Sequence, residues 1–171
     1  MAKGFRGIIP VTGQVLEALR EKFVDTSSPP LGGVVDRVEH RPGMDIALDN
    51  LSNGECSAIV WANVQRIFPC VDFPDESPGQ GCGMTAATIQ VGAARCVSVV
   101  SEYGAPTPDE MEHEALVGLD DAYRLDRAAG EAMLACEARD LITQHEKTGL
   151  EPVGPQGGVL AWVMQLTVQL G

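Results

Sequence analysis

Few residues in this chain are of types and spacings that could support chemistry. Three histidines, His40, His113 and His145, are scattered, and none lies in the HExxH spacing that places two imidazoles on one helical face. Gly81-Cys82-Gly83 would present a thiol at a sharp turn, with His113 as the candidate base. A thiol nucleophile also needs oxyanion donors, and nothing in the sequence fixes them. Asp72, Asp75 and Glu76 lie close together, but their spacing is not that of an EF-hand loop. Five cysteines (Cys56, Cys70, Cys82, Cys96, Cys136) make an odd number with no CxxC pair, which argues against a structural zinc site. Neither a P-loop nor a GxGxxG turn is present. The chain is expected to carry no catalytic residues, no metal and no cofactor.

Charge narrows the partners. The 171 residues carry a formal net charge of −12. DNA-binding faces rely on Lys and Arg to displace counterions, so this balance argues against a nucleic-acid grip. The acid is unevenly placed: residues 109–140 hold ten Asp or Glu against three Arg, whereas residues 1–24 hold four basic and two acidic residues. No apolar run approaches the ~20 residues of a membrane helix, and the N-terminus lacks the apolar stretch of a signal peptide. A cytoplasmic site of synthesis with reduced thiols is the expectation. Cys56, Cys96 and Cys136 are then small apolar residues inside elements, and a Cys70–Cys82 disulfide across one loop is the single pairing considered.

The elements that must position these residues are legible in patches. Residues 13–24 read as a helix, with Thr12 as N-cap, Val11 and Leu16 as a staple, and Val15, Leu16, Leu19 and Phe23 as its apolar stripe. The DTSSPP run ends it. Within 31–55, Val34, Val35 and Val38 suggest a short strand, and Asn53-Gly54 a turn. Residues 56–100 read as a long-armed antiparallel hairpin. In its first strand Ile59, Trp61 and Ile67 share one face, and Ala58, Val60, Ala62 and Val64 the other. Gly92, in the second strand, marks a bulge or a close approach. The loop 68–85, FPCVDFPDESPGQGCGMT, is long enough to be functional.

Thr107-Pro108-Asp109-Glu110 supplies an N-cap, an N1 proline and a capping-box glutamate, opening a helix over 108–142. Met111, Ala115, Leu119, Ala122, Ala129, Met133 and Cys136 form its 3.6-residue stripe. Residues 158–170 read as a strand in which Leu160, Trp162, Met164, Leu166, Val168 and Leu170 share a face. Twelve residues at ~3.3 Å each span on the order of 40 Å, so this strand needs partners. The whole is one α+β domain of 171 residues: a mainly antiparallel sheet packed by an N-terminal helix and a long acidic helix, with an extended hairpin arm.

RIFPCVDFP, the CG-containing loop, ATIQVGAARC, the PTPDE helix start and GPQGGVLAWVMQLTVQL succeed one another in a characteristic order over residues 56–171. As an ordered set they resemble small neck proteins of long-tailed (siphovirus-type) phages of actinobacteria, most closely the tail terminators. The resemblance implies a non-enzymatic virion protein, a homohexameric ring that caps the tail tube and joins it to the head-closure (stopper) protein. Genomic DNA would pass through the lumen without specific binding. It also implies a location in the virion neck, after synthesis in the host cytoplasm, and no membrane partner. Other neck components, a stopper or a tail-completion protein, fit the same class, and a small Cys-dependent enzyme is the alternative from another class. The residues expected at contacts between chains are Phe68, Phe73, Pro74, Pro78 and Met84 on the arm and Trp162 and Leu166 on the terminal strand. An acidic lumen would repel phosphate over roughly 10 Å, with acid drawn from the 109–140 helix or the 68–85 loop.

Overall fold

The computed structural model describes residues 7–43, 57–77, 83–100, 102 and 104–171. Two helices lie on one face of a mixed, mostly antiparallel six-stranded sheet, an α+β arrangement. In chain order these are α1 (Ile8–Phe23), β1 (Arg37–His40), β2 (Ile59–Cys70), β3 (Met84–Cys96), α2 (Pro108–Ala138), β4 (Ile142–Lys147), β5 (Glu151–Gln156) and β6 (Val159–Leu170). The sheet runs β1-β2-β3-β6-β4, and β5 also pairs with β6. Among the described residues only the β1–β2 pair is parallel.

The terminal strand is internal. β3 pairs along its whole length on one side, from Ala86↔Gln169 to Cys96↔Val159. On the other side β4 covers residues 166–170 and β5 covers much of 159–163. Thr148 bridges the gap, its N–H donating to the Gln165 carbonyl and its hydroxyl accepting from the Gln165 N–H. The expected alternation holds: Met164, Leu166, Val168 and Leu170 enter the core shared with both helices, while Val159 and Ala161 join a second cluster with Ile59, Trp61 and Ala94.

β4 and β5 have no counterpart among the sequence expectations, and their composition explains why. ITQHEK is polar and charged, and EPVGPQ carries two prolines. Such sequences are poor central strands but suit a sheet margin, where a charge or a missing N–H discourages further pairing. β1, RVEH, guards the opposite margin in the same manner.

The expected faces of β2 hold only as far as Val64. A register shift between Val64 and Arg66 reverses the parity of the rest of the strand. Phe68, opposite Ala86, therefore lies on the Trp61 side, while Ile67, opposite Ala87, lies on the other and is half exposed. Gly92 is a close-approach point and not a bulge. The Trp61 indole lies on it, and a Cβ there would come within 2.7 Å of ring atoms Cε2 and Cη2.

α1 begins at Ile8, earlier than expected, with Gly7 as N-cap and no side-chain cap. Pro10 sits within the first turn, where N–H groups have no intrahelical acceptor. Thr12 is therefore inside the helix, its hydroxyl donating back to the Ile8 and Ile9 carbonyls at 3.2 and 3.0 Å. Val15, Leu16, Leu19 and Phe23 are buried as expected. The capping box of α2 is present in full: the Glu110 N–H donates to the Thr107 hydroxyl, and the Glu110 carboxylate accepts from the Thr107 N–H. α2 ends at Ala138, four residues short of the expected 142. The Leu141 N–H returns to the Cys136 carbonyl, and Asp140, at φ 54°, turns the chain into β4.

A polar clamp closes the helix layer over segment 25–33. Arg124 donates to the carbonyls of Lys22, Ser28 and Pro29, and its neighbour Asp120 accepts from the Leu31 N–H. From β3, Arg95 donates to the Gly32 and Gly33 carbonyls and pairs with Asp121 at 2.5 and 3.1 Å. Asp121 is only 3% exposed.

Candidate interaction surfaces

The thiol and acid groups singled out by spacing do not assemble into a reactive centre among the described residues. Cys82 and Cys56 lie outside them, as do Gly81, Pro78 and the Asn53-Gly54 turn. His113 is exposed on α2, His40 is exposed at the end of β1, and His145 is engaged by Glu137 at 2.8 Å. Asp72 and Asp75 are exposed in the arm, and Glu76 pairs with Arg66. Among the described residues no group of three or more His, Cys, Asp or Glu could hold a metal ion. None of the described helices is long and apolar enough to cross a membrane.

The cysteines depart from expectation at two positions. Cys96 is disulfide-bonded and not a free apolar thiol. Its side chain is half-buried at the end of β3, where the strand leaves the sheet. Cys70 is free and fully buried beside Phe68 and Ala86, so it makes no bond to Cys82. Since Cys136 is free as well, the partner of Cys96 lies outside the described residues. Burial pushes the Cys136 thiol up to about 11, which leaves it unreactive.

The contact residues expected on the arm and terminal strand fall into different environments. Leu166 is 0% exposed in the helix-side core and has no surface to offer another chain. A strand's apolar face looks the same in sequence whether helices of its own chain or a neighbour cover it; here the helices do. Trp162 is half-buried against that core, at the point where Gly118 of α2 closes on it. A Cβ at Gly118 would lie 3.1 Å from the indole Nε1, so close packing accounts for this mid-helix glycine. Phe68 is buried under the Arg66 guanidinium, 5.1 Å from its ring centroid, with Phe73 packed alongside. Pro74 and Met84 are exposed, with Val71 beside them.

Exposed apolar side chains mark surfaces that sequence periodicity misassigns. Met111 and Leu119, expected on the buried stripe of α2, both point outward. The buried stripe runs instead through Gly118, Ala122, Leu125, Ala129, Met133 and Cys136. Opposite it, Leu116, Leu119, Tyr123 and Leu134 form a second stripe, each at least half exposed. The i, i+3, i+4 spacing of its members is visible in the sequence, but α2 carries two such rhythms and a single stripe merges them.

The third apolar surface is a groove of about 420 Å³ between the start of α2 and the end of the sheet. Val97, Val100, Pro106, Met111, Pro155 and Leu160 line it, with Glu114 at its inner edge. Val100 is 76% exposed and Met111 59%. Beyond Glu114 the groove continues into a cavity of about 180 Å³ lined by Trp162, Val117, His113 and the Arg95–Asp121 pair. The Trp162 Nε1–H is buried there without an acceptor among the described residues.

The electrostatics of α2 change along its length. From Asp120 to Glu137 each acid has a cationic partner: Asp120 with Arg124, Asp121 with Arg95, Asp126 with Lys147, Glu131 with Lys22 and Arg127, Glu137 with His145. Asp109, Glu110, Glu112 and Glu114 have none among the described residues; Glu110 and Glu114 accept only from the neutral Thr107 and Ser98. The Thr107 N–H and hydroxyl hold the Glu110 carboxyl below its usual range. Burial opposes ionisation of Asp120, but the Leu31 N–H and Arg124 outweigh it and its carboxyl is also lowered. At Asp121 the balance reverses: burial pushes the carboxyl up, and Arg95 only partly offsets it.

Comparison with models of known protein families finds no match for this chain, and comparison with curated proteins likewise finds none.

Proposed function

We propose that this chain is a structural subunit of a phage virion neck, a tail terminator that forms a homohexameric ring between the tail tube and the head-closure protein. The observation that supports it best is the pair of exposed apolar surfaces on different parts of the molecule: the outer stripe of α2 (Leu116, Leu119, Tyr123, Leu134) and the arm (Val71, Met84). Contiguous exposed apolar side chains mark contact sites. Two unlike patches suit the heterologous contact of a cyclic ring, in which one surface of each copy meets a different surface of the next. The guarded sheet margins agree, because a ring assembled through side-chain surfaces has no need of added strands. The ordered motifs over residues 56–171 supply the neck assignment.

In this reading the lumen carries acid so that DNA is repelled and not held. Most α2 acids are neutralised by partners, so Asp72 and Asp75 of the arm are the channel-facing groups. The test is a phage from which this protein has been removed. Overlong polymerised tail tubes are the expected phenotype. Detached tails of normal length would move the protein to the stopper layer, and infectious particles of normal form would refute a neck role.

A further inference from the structure

The groove at the start of α2 has an apolar lining and an acidic surround without cations. Val97, Val100, Pro106, Met111, Pro155 and Leu160 form the lining. The first two turns of α2 add Asp109, Glu110, Glu112 and Glu114, none ion-paired among the described residues, although every acid from Asp120 to Glu137 is. Acids at a helix N-terminus interact favourably with its dipole, which explains one or two of them. It does not explain why they border an apolar groove whose walls stay exposed. An apolar anchor flanked by cations fits both halves of the surface.

The chain contains such a segment. Residues 3–6 read Lys-Gly-Phe-Arg, one large apolar side chain between two cations, immediately before α1. They cannot serve the groove of their own chain. α1 and α2 are antiparallel: Lys22 meets Glu131 and Arg124, while Gln14 shares a cleft with Ala135 and Arg139. The start of α1 is therefore beside the end of α2. From Met111 to Cys136 the helix rises roughly 37 Å at 1.5 Å per residue. The residues from Phe5 to Ile8 span about 10 Å at most when fully extended.

We propose that the Lys3–Arg6 segment of one copy docks into the α2 groove of another, with Phe5 in the apolar lining and Lys3 and Arg6 against the acids of the first two turns. The contact is head-to-tail, since donor and acceptor are at opposite ends of the helix pair, and it repeats from copy to copy. It rests on the self-assembly part of the proposed function and names the segment that makes the contact.

A fluorescently labelled peptide with the sequence of residues 2–9, AKGFRGII, titrated with the full-length protein and followed by anisotropy, tests it. Saturable binding that weakens with added salt is expected. Asp109→Lys/Glu112→Lys in the protein, or Phe5→Ala in the peptide, should weaken binding at least about tenfold. Circular dichroism on the protein variant reports whether the fold is kept. Met111→Gln, which changes the lining without altering charge, gives a second route to the same loss. Absence of binding at millimolar protein, or binding indifferent to all three changes, overturns the proposal. Chemical crosslinking of the full-length protein separates this from the ring reading. Oligomers that persist unchanged in Lys3→Glu/Arg6→Glu refute the segment and leave the ring, whereas a virion layer containing one isolated copy refutes the ring.

Discussion

Replacing Arg95 by Met should destabilise the fold in a pH-dependent way, and the size of the effect can be worked from its four hydrogen bonds. Two go to Asp121, at 2.5 and 3.1 Å, and two to the exposed carbonyls of Gly32 and Gly33. Water can replace the guanidinium at those carbonyls. It cannot readily do so at Asp121, which is 3% exposed. Removing one member of a buried ion pair costs about 3–5 kcal/mol, because the other charge is stranded. Asp121 has an escape: burial already holds its carboxyl above the usual range, and without Arg95 it rises further. The folded variant then binds a proton that the unfolded chain releases. Stability is therefore fully present below the unfolded value, near 3.9, and is lost as pH rises through the raised folded value. The slope is about 1.4 kcal/mol per pH unit within that window. Urea unfolding of Arg95→Met and the parent at pH 5 and pH 8 should show the larger penalty at pH 8. Arg95→Met/Asp121→Leu should recover most of it at both pH values, since an apolar pair of similar volume tolerates burial. A penalty below about 1 kcal/mol that is equal at the two pH values would refute the stranded-charge account. So would a double variant no more stable than the single one.

Three further outcomes are expected from the same geometry. Gly92→Ala should cost about 2–3 kcal/mol by thermal or urea unfolding, because its Cβ would overlap the Trp61 ring; in a Trp61→Leu background the same change should cost under ~1 kcal/mol. Arg124→Ala should release segment 25–31 from the helices, read as loss of amide protection at Leu31 and faster cleavage within DTSSPP, with α2 still protected. Cys136, buried and with its thiol raised to about 11, should resist alkylation at pH 8 in the folded protein and react at an ordinary rate in urea; rapid native labelling would contradict its placement.

How much of the fold is legible in the sequence depends on whether a local pattern has one physical meaning. The capping box at Thr107–Glu110 does, because reciprocal hydrogen bonds at that spacing have few alternatives, and it is present as expected. The alternation over 159–170 locates β6 to within a residue. Gly92 is recognisable as a point of close approach, although only the structure identifies Trp61 as the reason. What fails is information carried between elements. A single extra residue between Val64 and Arg66 reverses the faces of the rest of β2, and no local signal in the run of apolar residues announces it. The margin strands β4 and β5 lack the apolar rhythm by which strands are found, because being at a margin removes the need for it.

The contact residues show the same limit from the other side. Leu166 and Trp162 are expected at contacts because an apolar strand face must be covered, yet helix and neighbour are equivalent covers as far as the strand's own sequence is concerned. α2 settles the matter for its own chain. One stripe from Gly118 to Cys136 is consumed by the sheet and α1, and a helix of this kind has no further use for apolar side chains. Leu116, Leu119, Tyr123 and Leu134 on the opposite side are therefore in excess of what folding requires. A surface retained against the solubility cost of exposing it needs a cause outside the fold. On this chain that excess, more than any strand edge, is where association with other chains would be written.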